Sequence, residues 1–379
     1  MLKTVSHKKI AFCIAGTFNS GGMERVLANK ANFLQDNGFD VTIITTDQDG
    51  RPPFYKLNPK IQLVDLNINY FKNIKHGLLK AFPYLFLQFN NYKKLKAMLL
   101  ESNFDIVVSM FDHEAFLLPF IKDSSIKIAE IHFSRFKRIQ YGRKGLLGII
   151  DYGRYKLDKW IASKYSKFIV LTNEDKGYWI GLDNIEVIPN SNSFNSNEMA
   201  DLKSKSVIAV GRYDYQKRFD HLISAWKFVH EKYPDWQLYI FGQGEDHNKL
   251  QNQIKSLKLS DTVFLKSAVK DVKAEYLKCS IMALSSRYEG LPMALLEAQS
   301  CGLPLISYAC KCGPSDIIID GINGYLIEDG NILELSNKLV QLIEDENKRF
   351  EMGTKSKELA HRFDENVIMS KWLKLFNQI

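Results

Sequence analysis

The chain has 379 residues, 45% hydrophobic and 25% charged, an ordinary globular composition with material for two buried cores. Nowhere does it hold the roughly 20 consecutive apolar residues that a membrane-spanning helix needs, so a bilayer span is excluded. The net charge of +8 lies wholly in the first half, where residues 1–190 hold 27 Lys and Arg against 18 Asp and Glu and the remainder 24 against 25, which points that half at a polyanion or an anionic membrane.

The N-terminal MLKTVSHKKIAFCIAG is basic and then apolar, but Ile10–Ala15 is short for a signal peptide and runs into GTFNSGGMER without a cleavage site. It reads as a first β-strand and a cytoplasmic chain. Five scattered cysteines (Cys13, Cys279, Cys301, Cys310 and Cys312) suit a reducing compartment. The C-x-C of ACKCGP, with no His or second pair nearby, reads as structural thiols rather than a metal site. GTFNSGG is a flexible turn, and MERVLANKANFLQDNG is a helix with Val26, Leu27, Phe33 and Leu34 at helical spacing, ended by Gly38. FDVTIITTD follows as a second strand, completing a βαβ unit. The alternation continues through NFDIVVSMF, SSIKIAEIHF, SKFIVLT and NIEVIPN.

Two stretches of this half are basic and aromatic together. Tyr70–Met98 has six lysines and no acid, with Pro83 expected to kink or break its helix, and Phe133–Lys167 has ten Lys and Arg against two Asp. Cations interleaved with large apolar residues suit a segment lying in a lipid headgroup layer, where lysine stems snorkel; a core helix with one wet face is the alternative.

Asn190–Ser206 is polar, rich in Asn and Ser, and reads as a linker. Strands and helices then alternate again: SVIAVGR, FDHLISAWKFVHEKY, WQLYIFGQG, HNKLQNQIKSLKL, TVFLKS, KAEYLKC, SIMALSS, LPMALLEAQSCG, PLISY and NGYLI. The expected fold is α/β, two doubly wound Rossmann-like domains facing a central cleft. The boundaries are 1–190, a linker at 191–205, 206–363, and a C-terminal helix at 364–379 that either closes its own domain or packs back toward the first. Ligands of such sheets bind beyond the carboxyl ends of the strands.

The most informative stretch, SRYEGLPMALLEAQSCGLP, follows the strand SIMALSS. Pro292 suits the first helical position, so the amides of Gly290, Leu291 and Met293 lie at a helix N-terminus, a ready anion site. Glu289 stands before the helix and Glu297 one to two turns inside it, separated by those amides. Buried acids of this kind need partners, and their separation argues for an extended ligand with hydroxyls at both ends and phosphate between. A nucleotide sugar has that shape.

RYEGLPMALLEAQSCGLPLI, with Glu, seven residues and Glu, resembles the signature of the retaining glycosyltransferases of family four, which have the two-domain GT-B fold. GGMERV near the N-terminus, GRYDYQKRFDHLISAW opening the second domain and GPSDIIIDGINGYLI after the signature strengthen the likeness, which covers most of the chain. The resemblance implies an N-terminal acceptor-binding domain and a C-terminal nucleotide-sugar-binding domain. By position, Glu297 matches the acid that holds the donor ribose, and Glu289 the acid near the reacting carbon of the sugar, with the amides of Gly290 and Leu291 meeting sugar or diphosphate. Arg212 and Lys217 match the basic pair on the diphosphate, with Arg218 less firmly tied to it. Gly21 and Gly22 let the backbone approach the diphosphate from across the cleft and help shape the acceptor site. His132 in AEIHFSR matches a histidine that touches donor sugar or acceptor, and Asp112 in SMFDHE is a candidate to orient the acceptor hydroxyl. The base would meet backbone near Gly242–Gly244 and Lys266–Val269. No cofactor or metal is implied, since these cations take up the charge of the leaving diphosphate.

The expected activity is transfer of a hexose or N-acetylhexosamine, with retention, from a UDP-linked donor to a lipid-linked glycan, a polyprenyl-diphosphate type, in surface polysaccharide biosynthesis. The enzyme would sit peripherally on the inner face of the membrane through its basic N-terminal domain. Two chemical routes are open: same-face displacement aided by the leaving diphosphate, or a covalent intermediate on Glu289. A nucleotide-sugar epimerase of similar fold and a basic nucleic-acid-binding protein are the alternatives; no nucleic-acid recognition motif is visible.

Overall fold

The computed structural model describes residues 8–73, 81–137, 139, 144–194, 196–269 and 271–379, apart from the side chains of 81, 82 and 146. Parts of both basic stretches noted above, 74–80 and 138 with 140–143, lie outside the described residues.

The first half runs β1 (Lys9–Ile14), α1 (Gly22–Asp36), β2 (Asp40–Thr45), β3 (Gln62–Asp65), α2 (Tyr70–Asn73), α3 (Ala81–Ser102), β4 (Ile106–Ser109), β5 (Ile126–Glu130), α4 (Gly145–Ala162), β6 (Lys167–Val170), α5 (Asn173–Tyr178) and β7 (Ile185–Val187). Its seven strands form a parallel sheet in the order β3-β2-β1-β4-β5-β6-β7. The second half runs β8 (Ser206–Val210), α6 (Phe219–Lys232), β9 (Gln237–Phe241), α7 (His247–Ser256), β10 (Val263–Lys266), α8 (Val272–Leu277), β11 (Ile281–Leu284), α9 (Met293–Ser300), β12 (Leu305–Tyr308), α10 (Pro314–Ile317), β13 (Gly324–Ile327), α11 (Ile332–Glu344), α12 (Glu346–Ala360) and α13 (Glu365–Gln378). Its six-stranded parallel sheet is ordered β10-β9-β8-β11-β12-β13.

The chemistry of the strands explains this arrangement. KIAFCI is buried at every position after its first, and IVVS and IMAL are buried throughout, as central parallel strands with helices on both faces require. In each sheet the order reverses beside its first strand, between β1 and β4 and between β8 and β11. Ligand crevices form beyond the carboxyl ends of strands at such reversals. GTFNSGG, SMFDHE, GRYDYQKR and SSRYEG all leave strands there.

Two features depart from the sequence reading. β3 was not read as a strand: it is four residues long, at the sheet edge, with no fully buried position. The Asn- and Ser-rich stretch between the halves is buried in part, at Asn190, Ser191, Asn192 and Ser196 among others. Asn192 N donates to Phe363 O at 2.8 Å, so the chain's first crossing between the halves is hydrogen-bonded to its return crossing. Pro83 stands third among the described residues of α3.

α13 packs on the first sheet. Ile368, Trp372, Leu375 and Phe376 share a core with Ile10, Phe12, Leu27 and Phe39, and Lys8 Nζ donates to the carbonyls of Phe376 and Ile379 at 2.6 and 3.0 Å, satisfying the open end of the helix. No helix among the described residues is long and apolar enough to cross a membrane.

Candidate active site

On the second domain's side, β8 and β11 are neighbours, so the loops that follow them meet. Glu289, buried in the β11 loop, accepts a hydrogen bond from Lys217 Nζ of the β8 loop at 2.7 Å. The lysine is fixed along its length: its amide donates to Asp214 Oδ1, its carbonyl accepts from Ser285 Oγ, and its stem lies where a Cβ on Gly211 would intrude at 2.9 Å. Arg212, by contrast, is 73% exposed, with Nη2 3.2 Å from Asp214 Oδ2. Arg218 turns away, its Nη1 on Asp329 Oδ1 at 2.7 Å and its guanidinium facing the Tyr308 ring. Pro292 is the cap residue and α9 begins at Met293, one residue later than its sequence suggests; the Pro292 carbonyl accepts from the amides of Leu295 and Leu296.

Glu297 lies on the buried face of α9. Its Oε2 accepts from the Tyr276 hydroxyl at 3.2 Å, and its Oε1 from Arg25 Nη1, across the cleft, at 2.7 Å. Burial, and then the charge of Glu297, pushes the Tyr276 phenol well above its ordinary range, so it stays a donor. Both acids of the signature are thus buried and each is satisfied by a cation, that of Glu297 coming from across the cleft.

The first domain closes the other wall. Gly21 caps α1 without a side chain; a Cβ there would meet the Glu24 carboxylate at 2.2 Å. Gly22 opposes Met293 of α9, 3.5 Å from where its Cβ would stand. Gly290 sits against the backbone of the β5 loop: a methyl group on it would come within 2.5 Å of the His132 carbonyl oxygen. Only glycine lets these two loops approach so closely. The His132 ring is buried, with Nε2 3.2 Å from Glu130 Oε1, close enough for charge attraction but off the line of a hydrogen bond; neither ring nitrogen has a hydrogen-bond partner among the described residues.

Asp112 belongs to a neighbouring cluster at the end of β4. Its Oδ1 accepts from the amide of His113, whose ring stacks on Tyr70 at a centroid distance of 3.9 Å. Beside it the buried Glu114 accepts from Ser109 Oγ at 2.6 Å, and burial, with Asp112 adding to it, holds the Glu114 carboxyl up at about 8. The loops at Gly242 and Lys266 are stitched together: Gly242 N donates to Lys266 O, and the Tyr213 hydroxyl reaches the carbonyls of Ile240 and Lys266.

The structure thus brings Glu289, Lys217, Gly290, Leu291 and Glu297 together with Gly21, Gly22 and His132, while Arg212 lies at the solvent edge and Asp112 in the adjoining cluster. Three close neighbours were not read from the sequence. Tyr276 looks like an ordinary core tyrosine. Lys30 and Glu130 form a buried ion pair, Lys30 Nζ donating to Glu130 Oε1 at 2.6 Å. The available signal was the position of Lys30 on the apolar face of α1 with Leu27, Ala31 and Leu34, and of Glu130 inside the strand IKIAE. Among the described residues no group of three or more His, Cys, Asp or Glu is disposed to hold a metal ion.

A family model for glycosyltransferase family 4 matches residues 20–191, and one for glycosyl transferases group 1 matches 192–359. An uncharacterized glycosyltransferase of Haemophilus influenzae is 30% identical over 369 residues, covering 96% of this chain and 99% of its own length. The amylovoran biosynthesis glycosyltransferase AmsD of Erwinia amylovora is 28% identical, covering 97% and 99%. A third relative, 27% identical with 98% and 99% covered, is the GalNAc-alpha-(1->4)-GalNAc-alpha-(1->3)-diNAcBac-PP-undecaprenol alpha-1,4-N-acetyl-D-galactosaminyltransferase of Campylobacter jejuni. Of solved structures, a Staphylococcus aureus TarM variant in complex with fondaparinux, alpha-GlcNAc-glycerol and UDP superposes with a TM-score of 0.77 at 18% identity, covering 98% of this chain and all of that one. The pneumococcal O-GlcNAc transferase GtfA, in complex with UDP and GlcNAc, gives 0.76 at 16% identity, covering 98% and 99%. Two adjoining family models and an end-to-end relative at this identity mean that the chain belongs to the group 1, family 4 glycosyltransferases and that its paired parallel sheets are a GT-B fold.

Proposed function

We propose that the protein transfers a hexose or N-acetylhexosamine, with retention of anomeric configuration and without a metal, from a UDP-linked donor to a lipid-linked glycan in bacterial surface polysaccharide synthesis. The observation that carries this reading is the pair of buried acids flanking the start of α9, Glu289 paired with Lys217 and Glu297 with Arg25. Such a site suits a ligand with hydroxyls at each end and a diphosphate between them. UDP in the TarM and GtfA structures supports the donor class; amylovoran synthesis and an undecaprenol-linked glycan in the relatives' names support the acceptor class. No protein reported above is named as an epimerase or a nucleic-acid-binding protein.

In this reading Glu297 exchanges Arg25 for the ribose hydroxyls, and the amides of Gly290 and Leu291 meet sugar and diphosphate. The buried Lys217 and the exposed Arg212 neutralise the charge that develops on the departing diphosphate, a role that cations held beside the leaving group fill well. Gly21 and Gly22 admit the diphosphate from the opposite wall. The bond from the anomeric carbon to the phosphate oxygen breaks as the acceptor oxygen bonds to that carbon on the same face, and the acceptor proton passes to the diphosphate. Glu289 stabilises the positive charge that builds on the sugar, His132 contacts donor sugar or acceptor, and Asp112 orients the incoming hydroxyl.

A panel of sugar nucleotides tested for protection against thermal denaturation examines the donor class. A UDP-sugar should raise the melting temperature of the wild type, and Glu297→Ala should weaken binding about tenfold or more through loss of a charge-assisted bond. No protection by any UDP-sugar, or protection unchanged in Glu297→Ala, overturns the assignment. Retention is checked by the anomeric coupling of the isolated product, and metal independence by turnover in excess chelator.

The first domain presents the membrane-facing surface of this proposal. α3 exposes Leu85, Phe86 and Phe89, and α4 exposes Leu147, Ile149, Ile150, Tyr152 and Trp160. Lysines lie over three of these rings, Lys93 over Phe89, Lys156 over Tyr152 and Lys164 over Trp160. Apolar side chains with ammonium groups beside them match the headgroup boundary of an anionic bilayer.

A further inference from the structure

We propose that Lys30 and Glu130 are positioning residues for glycosyl transfer: their buried ion pair orients, by charge attraction, the imidazole of His132, whose backbone packs on Gly290 of the loop that carries Glu289. The inference deepens the function proposed above and rests on His132 belonging to the reacting cleft.

The first observation is the location of the charges. Lys30 is 4% exposed and Glu130 1%, with Val26, Leu27, Ala31 and Leu34 around the lysine on the buried face of α1. A buried ion pair returns little net stability, because withdrawing both charges from water offsets their attraction, and apolar residues of similar volume serve the core as well. Stability alone therefore does not account for this pair.

The second observation is that the pair bridges α13 and His132. Lys30 Nζ donates to Glu130 Oε1 at 2.6 Å and to Oε2 at 2.5 Å, and its remaining face lies 3.8 Å from the centre of the Trp372 ring on α13. Both oxygens of the Glu130 carboxylate are thus held by one ammonium. Its Oε1 stands 3.2 Å from His132 Nε2, and the histidine's own carbonyl packs on Gly290. Burial by itself would raise the Glu130 carboxyl, yet Lys30 and then His132 hold it down at about 2, so it presents a full negative charge to the ring throughout the working range. The chain of support runs from the C-terminal helix through Lys30 and Glu130 to the imidazole, and from its backbone to the donor loop.

The test is a double-mutant cycle on the full chain, following UDP release from UDP-glucose or UDP-N-acetylglucosamine, beside imidazole NMR of the ligand-free protein. Glu130→Gln should lower kcat about tenfold to a hundredfold, the scale of a misplaced reacting group, and leave donor KM within roughly twofold. In a His132→Ala background the same substitution should add less than roughly twofold, since it acts through the ring. Equal losses in both backgrounds would show a merely structural role and overturn the proposal. The NMR arm needs no turnover: the His132 signal, identified by its loss in His132→Ala, should move in Glu130→Gln and in Lys30→Met, and a signal unmoved in both overturns the proposal. Should Lys30→Met fail to fold, Lys30→Met combined with Glu130→Gln removes both charges at once and carries the same expectation. If His132→Ala keeps wild-type turnover, the functional reading of His132 fails, while the NMR arm still decides whether the ion pair holds the ring.

Discussion

Glu289 and Glu297 each have one cation, but those cations come from different places. Lys217 belongs to the same domain as Glu289, so their pair persists however the domains move; Arg25 faces Glu297 from the opposite wall. Separation of the domains would therefore break the second pair and leave the first intact. Acids set among Leu291, Leu295, Leu296 and Ala298 were legible in the sequence, because a carboxylate in such company must have a partner. Lys30 and Glu130 were not, since each looked singly like an ordinary charge on a helix or strand and only the fold brings them together. Glu114 gives a separate expectation. Its carboxyl titrates at about 8 instead of the ordinary 4.5, chiefly through burial. The folded protein thus keeps a proton that the unfolded chain has released, and stability falls as pH rises between those values, by up to about 1.4 kcal/mol per pH unit. Urea midpoints at about pH 5 and about pH 8 should differ less in Glu114→Gln than in the wild type.

At the scale of elements, the central strands could be read because their apolar runs are continuous, and the first helix of each domain because its apolar period is clear. The edge strand β3 could not, having only partial burial, and α11 and α12 were passed over although α11 has a well-marked apolar face at Leu335, Leu339, Leu342 and Ile343. Which domain α13 serves was open in the sequence, because an amphipathic helix does not specify its partner. Its Trp372 is 1% exposed, packs at 5.5 Å on Phe376 and lies beneath the Lys30 ammonium. Trp372→Ala should lower stability by about 3–5 kcal/mol, as removal of a buried indole does, measured by urea denaturation. The loss should appear in the domain formed by the first sheet.

At the scale of the whole molecule, the charge asymmetry and the exposed aromatic residues of α3 and α4 fall in the same domain. The proposed membrane docking predicts that the protein floats with vesicles containing anionic lipid, and that flotation weakens as salt is raised, since each cation near such a surface contributes about 1 kcal/mol that ions screen. Absence of flotation at low salt would remove the membrane from the proposal while leaving the donor site intact. The hydrogen-bonded crossings at Asn192 and Phe363 have a mechanical corollary. Two strands of polypeptide, fastened side by side, join the lobes like a strap hinge, which would confine any opening to a swing about one line and resist twisting. Without a donor, such a hinge returns Arg25 to Glu297, and the backbone of His132 to the glycine opposite, in one register.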